Sequence, residues 1–264
     1  MQIRNFIDAA NIEVVSAAGP FKVVQHRKDL SVEGMRDSML KHYAAEMNYR
    51  KRQVVVELDG TCGGVILEAG IMQLMAGNLV METNINSMAN FLSKKLQAMV
   101  TGETIVKPLV TGHGTLITEP SYNHKIIMNI SAMTKGLTVA DGLFYACEAT
   151  VALRAQAMSS ASGALLGGKG LFNLSLCGDG HVVIDSHIPW TEIVEVRLTG
   201  EDELRVDGPY AIMWDSSLKM TVERSSKTLF GSAFTGEGLL NVYRGVGSVW
   251  MELTTPCVRK NLSR

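Results

Sequence analysis

A glycine pattern that recurs three times in the same order constrains this chain more than any other feature. Gly102-Glu103-Thr104-Ile105-Val106-Lys107 is followed by Gly112-His113-Gly114-Thr115-Leu116-Ile117. Gly168-Lys169-Gly170-Leu171-Phe172-Asn173 is followed by Gly178-Asp179-Gly180-His181-Val182-Val183. Gly236-Glu237-Gly238-Leu239-Leu240-Asn241 is followed by Gly245-Val246-Gly247-Ser248-Val249-Trp250. The leading glycines stand 66 and then 68 residues apart, and the second motif follows the first by 10, 10 and 9 residues. A fixed period of this kind marks internal repeats. Gly-x-Gly between apolar segments reads as a tight turn, so each copy is expected to be a strand, a glycine turn and a strand, that is, a β-hairpin. Gly102, Gly168, Gly236, Gly112, Gly178 and Gly245 are then structural glycines.

The match extends upstream. Gly70, Gly142 and Gly208 each precede a short apolar stretch and then an alternating one. Leu79, Met81 and Thr83 alternate with Val80, Glu82 and Asn84. Cys147 to Gln156 alternates in the same way, and so does Leu218 to Glu223. A period of two with one apolar face means half-buried strands on a core. The unit is too long for a propeller blade of ~40–45 residues. The fold is therefore predicted to be mainly β, with three tandem small β-sandwich or barrel repeats about a pseudo-threefold axis. The repeats span approximately 53–125, 126–190 and 191–258 within a body of 53–264.

A variable connection separates each alternating strand from its glycine motif. In Ser87 to Thr101, Met88, Phe91, Leu92, Leu96 and Met99 follow helical spacing with Lys94 and Lys95 opposite, which predicts a short amphipathic helix. Met158 to Gly167 is rich in Ser, Ala and Gly, and Ser225 to Thr235 carries Leu229, Phe230 and Phe234. Repeat architectures often gather such insertions on one binding face. Phe91, Leu92, Lys94, Lys95, Leu229 and Phe230 are therefore the candidate interaction face.

Residues 1–52 do not fit the repeat and form an N-terminal leader. Phe21 to Gln25 reads as a strand. Ser31 reads as the cap of an amphipathic helix with Met35, Met39, Leu40, Tyr43 and Met47 on one face. Arg50, Lys51 and Arg52 follow its C-terminus, where cations suit the helix dipole.

Over roughly Gln53 to Pro256 these motifs resemble the family of the altered inheritance of mitochondria protein 24. Gly-Glu-Gly-Leu-Leu at Gly236 to Leu240, Gly-x-Gly-x-Val-Trp at Gly245 to Trp250 and their earlier copies carry the likeness. The resemblance implies a fold similar to the tryptophan-RNA-binding attenuation protein, a short double-stranded β-helix, here in tandem. It implies no reaction. Fungal relatives are tied to organisation of the mitochondrial inner membrane, which implies a scaffold role.

Candidate chemistry is sparse. Gly163-Ala164-Leu165-Leu166-Gly167-Gly168-Lys169 matches Gly-x4-Gly-Lys, but Gly170 replaces the magnesium-holding Ser/Thr and a strand follows in place of a helix. Gly-x-Ser-x-Gly does not occur. Among the six histidines, His181 and His187 with Asp185 are the nearest to a metal cluster, and surface and turn positions account for them. No catalytic, metal or cofactor site is expected. With 25 basic and 26 acidic side chains the chain lacks the footprint of a nucleic-acid binder. His26-Arg27-Lys28 and Arg50-Lys51-Arg52 are its basic clusters, and with three Trp, six Tyr and seven Phe, stacking platforms for bases are sparse. Cys62, Cys147, Cys177 and Cys257 are widely spread, and no signal-like or membrane-spanning stretch is evident, so a cytosolic protein is expected. The leading reading is a non-enzymatic scaffold contacting a second copy, another protein or a membrane surface. The alternatives are an enzyme with a site between repeats and, by fold analogy, an RNA-binding module.

Overall fold

The computed structural model describes residues 3–83, 107–157, 159–160, 172–207, 210–224 and 239–254. In chain order these form β1 (Ile12–Ala18), β2 (Phe21–His26), α1 (Met35–Glu46), β3 (Arg52–Asp59), β4 (Val65–Leu67) and β5 (Met72–Thr83). Next come β6 (Pro108–Thr118), β7 (His124–Asn129), β8 (Leu137–Val139), β9 (Phe144–Glu148), β10 (Val151–Ala157) and β11 (Ser159–Ser160). The last are β12 (Phe172–Gly178), β13 (His181–Ser186), β14 (Val194–Asp207), β15 (Ala211–Asp215), β16 (Lys219–Arg224) and β17 (Leu239–Met251). The fold is mainly β, with one α-helix among the described residues.

The strands make two sheets. The first runs β1-β2-β3-β6-β4-β9-β13-β7, with β5 added on β6. The second runs β10-β12-β8-β15-β17-β16-β11, with β14 added on β17. Val54, Val55 and Val56 of β3 are all fully buried, so this run is covered on both faces and shows no alternation. The sheets share a core: Ile126, Phe144, Cys147, Val182 and Ile184 of the first meet Leu137, Val139, Leu176, Met213 and Trp250 of the second. A second core, with Phe21, Val54, Val56, Leu67, Leu116 and Tyr145, fills the curl of the first sheet.

The glycine motifs do not make the expected hairpins. Gly112 and Gly114 lie inside β6, and Gly245 and Gly247 lie inside β17, without reversing the chain. Gly178-Asp179-Gly180 separates β12 from β13, which belong to different sheets, so there it carries the chain from one sheet to the other. The hairpins join the alternating strand to the glycine strand instead. β5 pairs β6 from Met72↔Thr118 to Thr83↔Pro108, β10 pairs β12 from Val151↔Gly178 to Ala157↔Phe172, and β16 pairs β17 from Lys219↔Arg244 to Arg224↔Leu239. The three variable connections each link the two strands of one such hairpin. The alternation of Cys147 to Gln156 is likewise not one strand. It breaks at Ala149-Thr150, where the chain passes from β9 in the first sheet to β10 in the second.

In the leader, Phe21–His26 is a strand as expected, and β1, unforeseen in the sequence, pairs with it. β2 pairs β3, which joins the leader to the first sheet. Ser31 does not cap α1. The N-cap position is Gly34 with no side-chain bond, and Ser31 turns its hydroxyl and amide to Asp29 Oδ1. The helix expected around Phe91 to Met99, the Gly163-to-Lys169 segment, and Gly102, Gly168 and Gly236 lie outside the described residues.

Candidate functional site

The first sheet curls until its two edges face each other without pairing. Val15, Ser16, Val23 and Gln25 of β1 and β2 form one wall of the resulting cleft, and His124 to Asn129 of β7 form the other. Asn48 and Arg52 contribute to it, as do Pro189, Trp190 and Thr191, and its volume is about 700 Å³. That volume is ample for a small ligand.

The two cations of this cleft are engaged within the protein, Lys125 by Asp185 and Ser121 and Arg52 by backbone carbonyls and Asn48. The Lys125 side chain is fully buried; Nζ lies 2.7 Å from Asp185 Oδ1 and 2.8 Å from Ser121 Oγ, and over the Tyr145 ring. Burial lowers its pKa, opposed by Asp185. Arg52 is 3% exposed and donates to Arg50 O, Tyr122 O, Asn48 O and Asn48 Oδ1. Its pKa falls to about 10 through burial and the neighbouring Arg50. These bonds fasten the end of α1 to the body. The imidazole of His124 is pushed down to about 4, first by burial and then by Arg52 and Lys125. It is neutral where a free histidine, near 6.5, begins to protonate. The unfolded chain therefore takes up this proton first, and the stability His124 preserves above about pH 6.5 is lost as pH falls toward 4. After discounting for partial exposure, the loss is about 1–2 kcal/mol. Replacing His124 by Gln should flatten the decline in urea midpoint across this window relative to the parent.

The histidine cluster suggested by the sequence is not assembled. His181 Nδ1 lies 2.6 Å from Glu148 Oε1, His187 Nδ1 lies 3.8 Å from Glu252 Oε2, and Asp185 is taken by Lys125. Among the described residues no group of three His, Cys, Asp or Glu side chains is placed to hold a metal. The basic clusters face acids of their own chain. Arg27 and Arg50 approach Glu13 at 3.4 and 3.8 Å, and Lys51 bonds Asp29 at 3.0 Å. Burial raises the Asp29 carboxyl, but hydrogen bonds from Ser31, Tyr122 and Lys51 outweigh it and hold the group well below the usual range.

The surface that the sequence reading missed is α1 itself. Its small and polar side is the one turned to the body. Ala45 is its one buried residue, and Asp37, Ser38, Lys41 and Ala44 are half-buried. Lys41 bridges Asp37 at 3.0 Å and Asp29 at 3.6 Å beneath the helix. The apolar side faces out: Met35 and Met47 are each 82% exposed, and Met39, Leu40 and Tyr43 are exposed as well. Nearby Leu30, Val32 and Tyr49 are also exposed. Tyr49 stacks on Tyr122 with ring centroids 4.3 Å apart, and Asn48 at φ 59° ends the helix in the left-handed region. The apolar periodicity was legible in the sequence; the direction it faces was not. The residues first assigned to an interaction face, Phe91, Leu92, Lys94, Lys95, Leu229 and Phe230, lie outside the described residues.

No helix among the described residues is long and apolar enough to cross a membrane. An uncharacterised protein of Streptococcus pyogenes serotype M6 is 27% identical over 206 residues, covering 75% of this chain and 80% of that protein. The crystal structure of a Streptococcus pyogenes protein superposes with a TM-score of 0.59 at 20% identity, over 82% of this chain and 93% of that one. At that identity the likeness is one of fold. The family described as Mitochondrial biogenesis AIM24 matches residues 45–252, most of the two-sheet body from the end of α1 onward, and the chain belongs to that family.

Proposed function

We propose that the protein is a non-enzymatic interaction scaffold and that it docks a protein partner through the outward face of α1. The orientation of that helix is the observation that carries this reading. A surface helix ordinarily turns its apolar stripe to the core. Here salt bridges hold the polar stripe inward while Met35, Met39, Leu40, Tyr43 and Met47 stand in solvent. Five large apolar side chains exposed along one short segment, with Arg36 and Glu46 exposed among them, suit an interaction site, and methionine side chains adapt to a partner's shape. In the cleft, Lys125 and Arg52 are engaged within the protein, by Asp185 and by backbone carbonyls, so neither cation is free to hold a ligand. The chain's net charge of −1 favours a protein partner over an anionic membrane surface. Unpaired Cys62, Cys147 and Cys177 fit a cytosolic setting.

The test is a variant with Met39, Leu40 and Tyr43 each replaced by Lys. All three side chains are exposed, so the fold should melt within a few degrees of the parent. Proteins retained from native lysate by the immobilised parent should be lost by more than tenfold with the variant, and neither form should co-sediment with anionic liposomes. Equal retention by both forms would refute the helix as the docking face, and liposome binding by the parent alone would move the partner to lipid.

A further inference from the structure

Two joints within the chain use the same strand pairing. At the first, β4 pairs β9 with Val65↔Glu148, Ile66↔Cys147 and Leu67↔Ala146. Glu68 N–H donates to Tyr145 O at 2.8 Å, and Ala149 N–H donates to Gly64 O at 2.9 Å. At the second, β8 pairs β15 with Leu137↔Asp215, Thr138↔Trp214 and Val139↔Met213. Ala140 N–H donates to Ile212 O and Ser216 N–H to Gly136 O, both at 2.9 Å. The registers correspond. Val65 and Leu137 each lie opposite the residue two before a motif glycine, Val110 and Leu176. Cys147 and Trp214 each lie opposite the residue four after one, Val182 and Val249.

One donor half and one acceptor half of this joint remain over, at the two ends of the row. Leu204 of β14 lies opposite Tyr243, two before Gly245. Met75 of β5 lies opposite Leu116, four after Gly112. Among the described residues β14 pairs with β17 alone and β5 with β6 alone, so within them the outer edge of each is unpaired. A rotation near 120° per step would bring these edges together inside one chain, and they are not paired there.

We infer that β14 of one copy pairs antiparallel with β5 of another, in the register Leu204↔Ala76, Arg205↔Met75 and Val206↔Leu74. Continuity with the two internal joints identifies the occupant as a second copy of this chain. Leu74 is 42% exposed, whereas its counterparts Ala146 and Met213, covered by the preceding strand, are both 0% exposed. Charge on the open edge does not block pairing, since the internal joints already include Glu148 and Asp215. Arg205 is held by Glu203 at 2.7 Å. The contact is head-to-tail, so it propagates into a closed ring or a filament according to the rotation at each step. It does not depend on the docking role given to α1.

Proline substitution tests this directly. At both internal joints the residues matching Arg205 and Met75 lie two positions from groups that bond across the joint, and alternation aims their own N–H across it. Arg205→Pro and Met75→Pro therefore each remove a donor from an open edge while sparing the bonds to β17 and β6. The parent should sediment as a multiple of 28.7 kDa, and each proline variant as a monomer with the parent's far-UV circular dichroism. An equimolar mixture of the two should form 1:1 dimers, because each retains the edge the other has lost. Leu74→Lys, at an exposed site, should also give monomers and covers the case of a proline variant that misfolds. The α1 triple-lysine variant should assemble like the parent. A monomeric parent, proline and lysine variants that assemble normally, or a mixture that stays monomeric would overturn the joint. Loss of assembly in the α1 variant alone would overturn the joint and leave the docking reading standing.

Discussion

Replacing Asp185 by Asn should destabilise the protein by about 3–5 kcal/mol, the usual consequence of stranding a buried charge. Lys125 is the stranded group: its side chain is fully buried, and Asp185 is the only carboxylate within salt-bridge distance among the described residues. Ser121 and the Tyr145 ring remain as neighbours but carry no negative charge. The two residues lie in register on adjacent strands, Asp185↔Lys125, so the loss falls at the β13–β7 pairing that forms one wall of the cleft. Two controls separate charge from packing. Lys125→Met combined with Asp185→Asn removes both charges and should recover most of the loss in urea unfolding. Burial already lowers the pKa of Lys125, and without Asp185 it falls further. The deficit should therefore narrow between neutral pH and about pH 10 as the ammonium gives up its proton. A deficit under about 1 kcal/mol would show that solvent reaches Lys125 freely.

The alternation within β5 and within β16 and the order of the glycine motifs were readable because a half-buried strand carries its own period, whereas the alternation of Cys147 to Gln156 concealed a break between two strands. What the sequence could not show was which strand pairs with which. Gly112-His113-Gly114 and Gly178-Asp179-Gly180 look alike, yet the first lies within a continuous strand and the second takes the chain between sheets. Local pattern reports conformational freedom, and tertiary pairing decides how it is used. The short strands β4 and β8, three residues each, were invisible for the same reason, although they make both internal joints. At α1 the sequence placed a helix correctly, with Met35, Met39, Leu40 and Tyr43 within it and Met47 at its C-cap. The direction in which they face was not legible, because it is set by Lys41 on the other side of the helix reaching Asp29, outside the helix, at 3.6 Å. A long-range salt bridge leaves no periodic trace.

Gly112→Ala should cost about 3 kcal/mol, which for a chain of this size lowers the melting temperature by about 6–12 °C. Two independent effects add at this position. Its φ is +111°, a region that side-chain-bearing residues rarely adopt. A Cβ built there would also lie 2.1 Å from Asn78 O and 3.3 Å from Leu79 Cα, both on the backbone of the paired strand β5. Neither strand can yield, because β6 is held by β3 and β4 on its other side and the Leu79↔Gly112 pair fixes the register. The glycine thus permits two backbones to approach within one sheet. Gly142→Ala is the comparison: its φ is +78°, but nothing lies within 4 Å of an added Cβ, so it should show the conformational cost alone. If the two variants melt together, close approach contributes nothing at Gly112. If Gly112→Ala is clearly the worse, crowding against β5 supplies the difference, and the glycine is required by strand packing as well as by its φ.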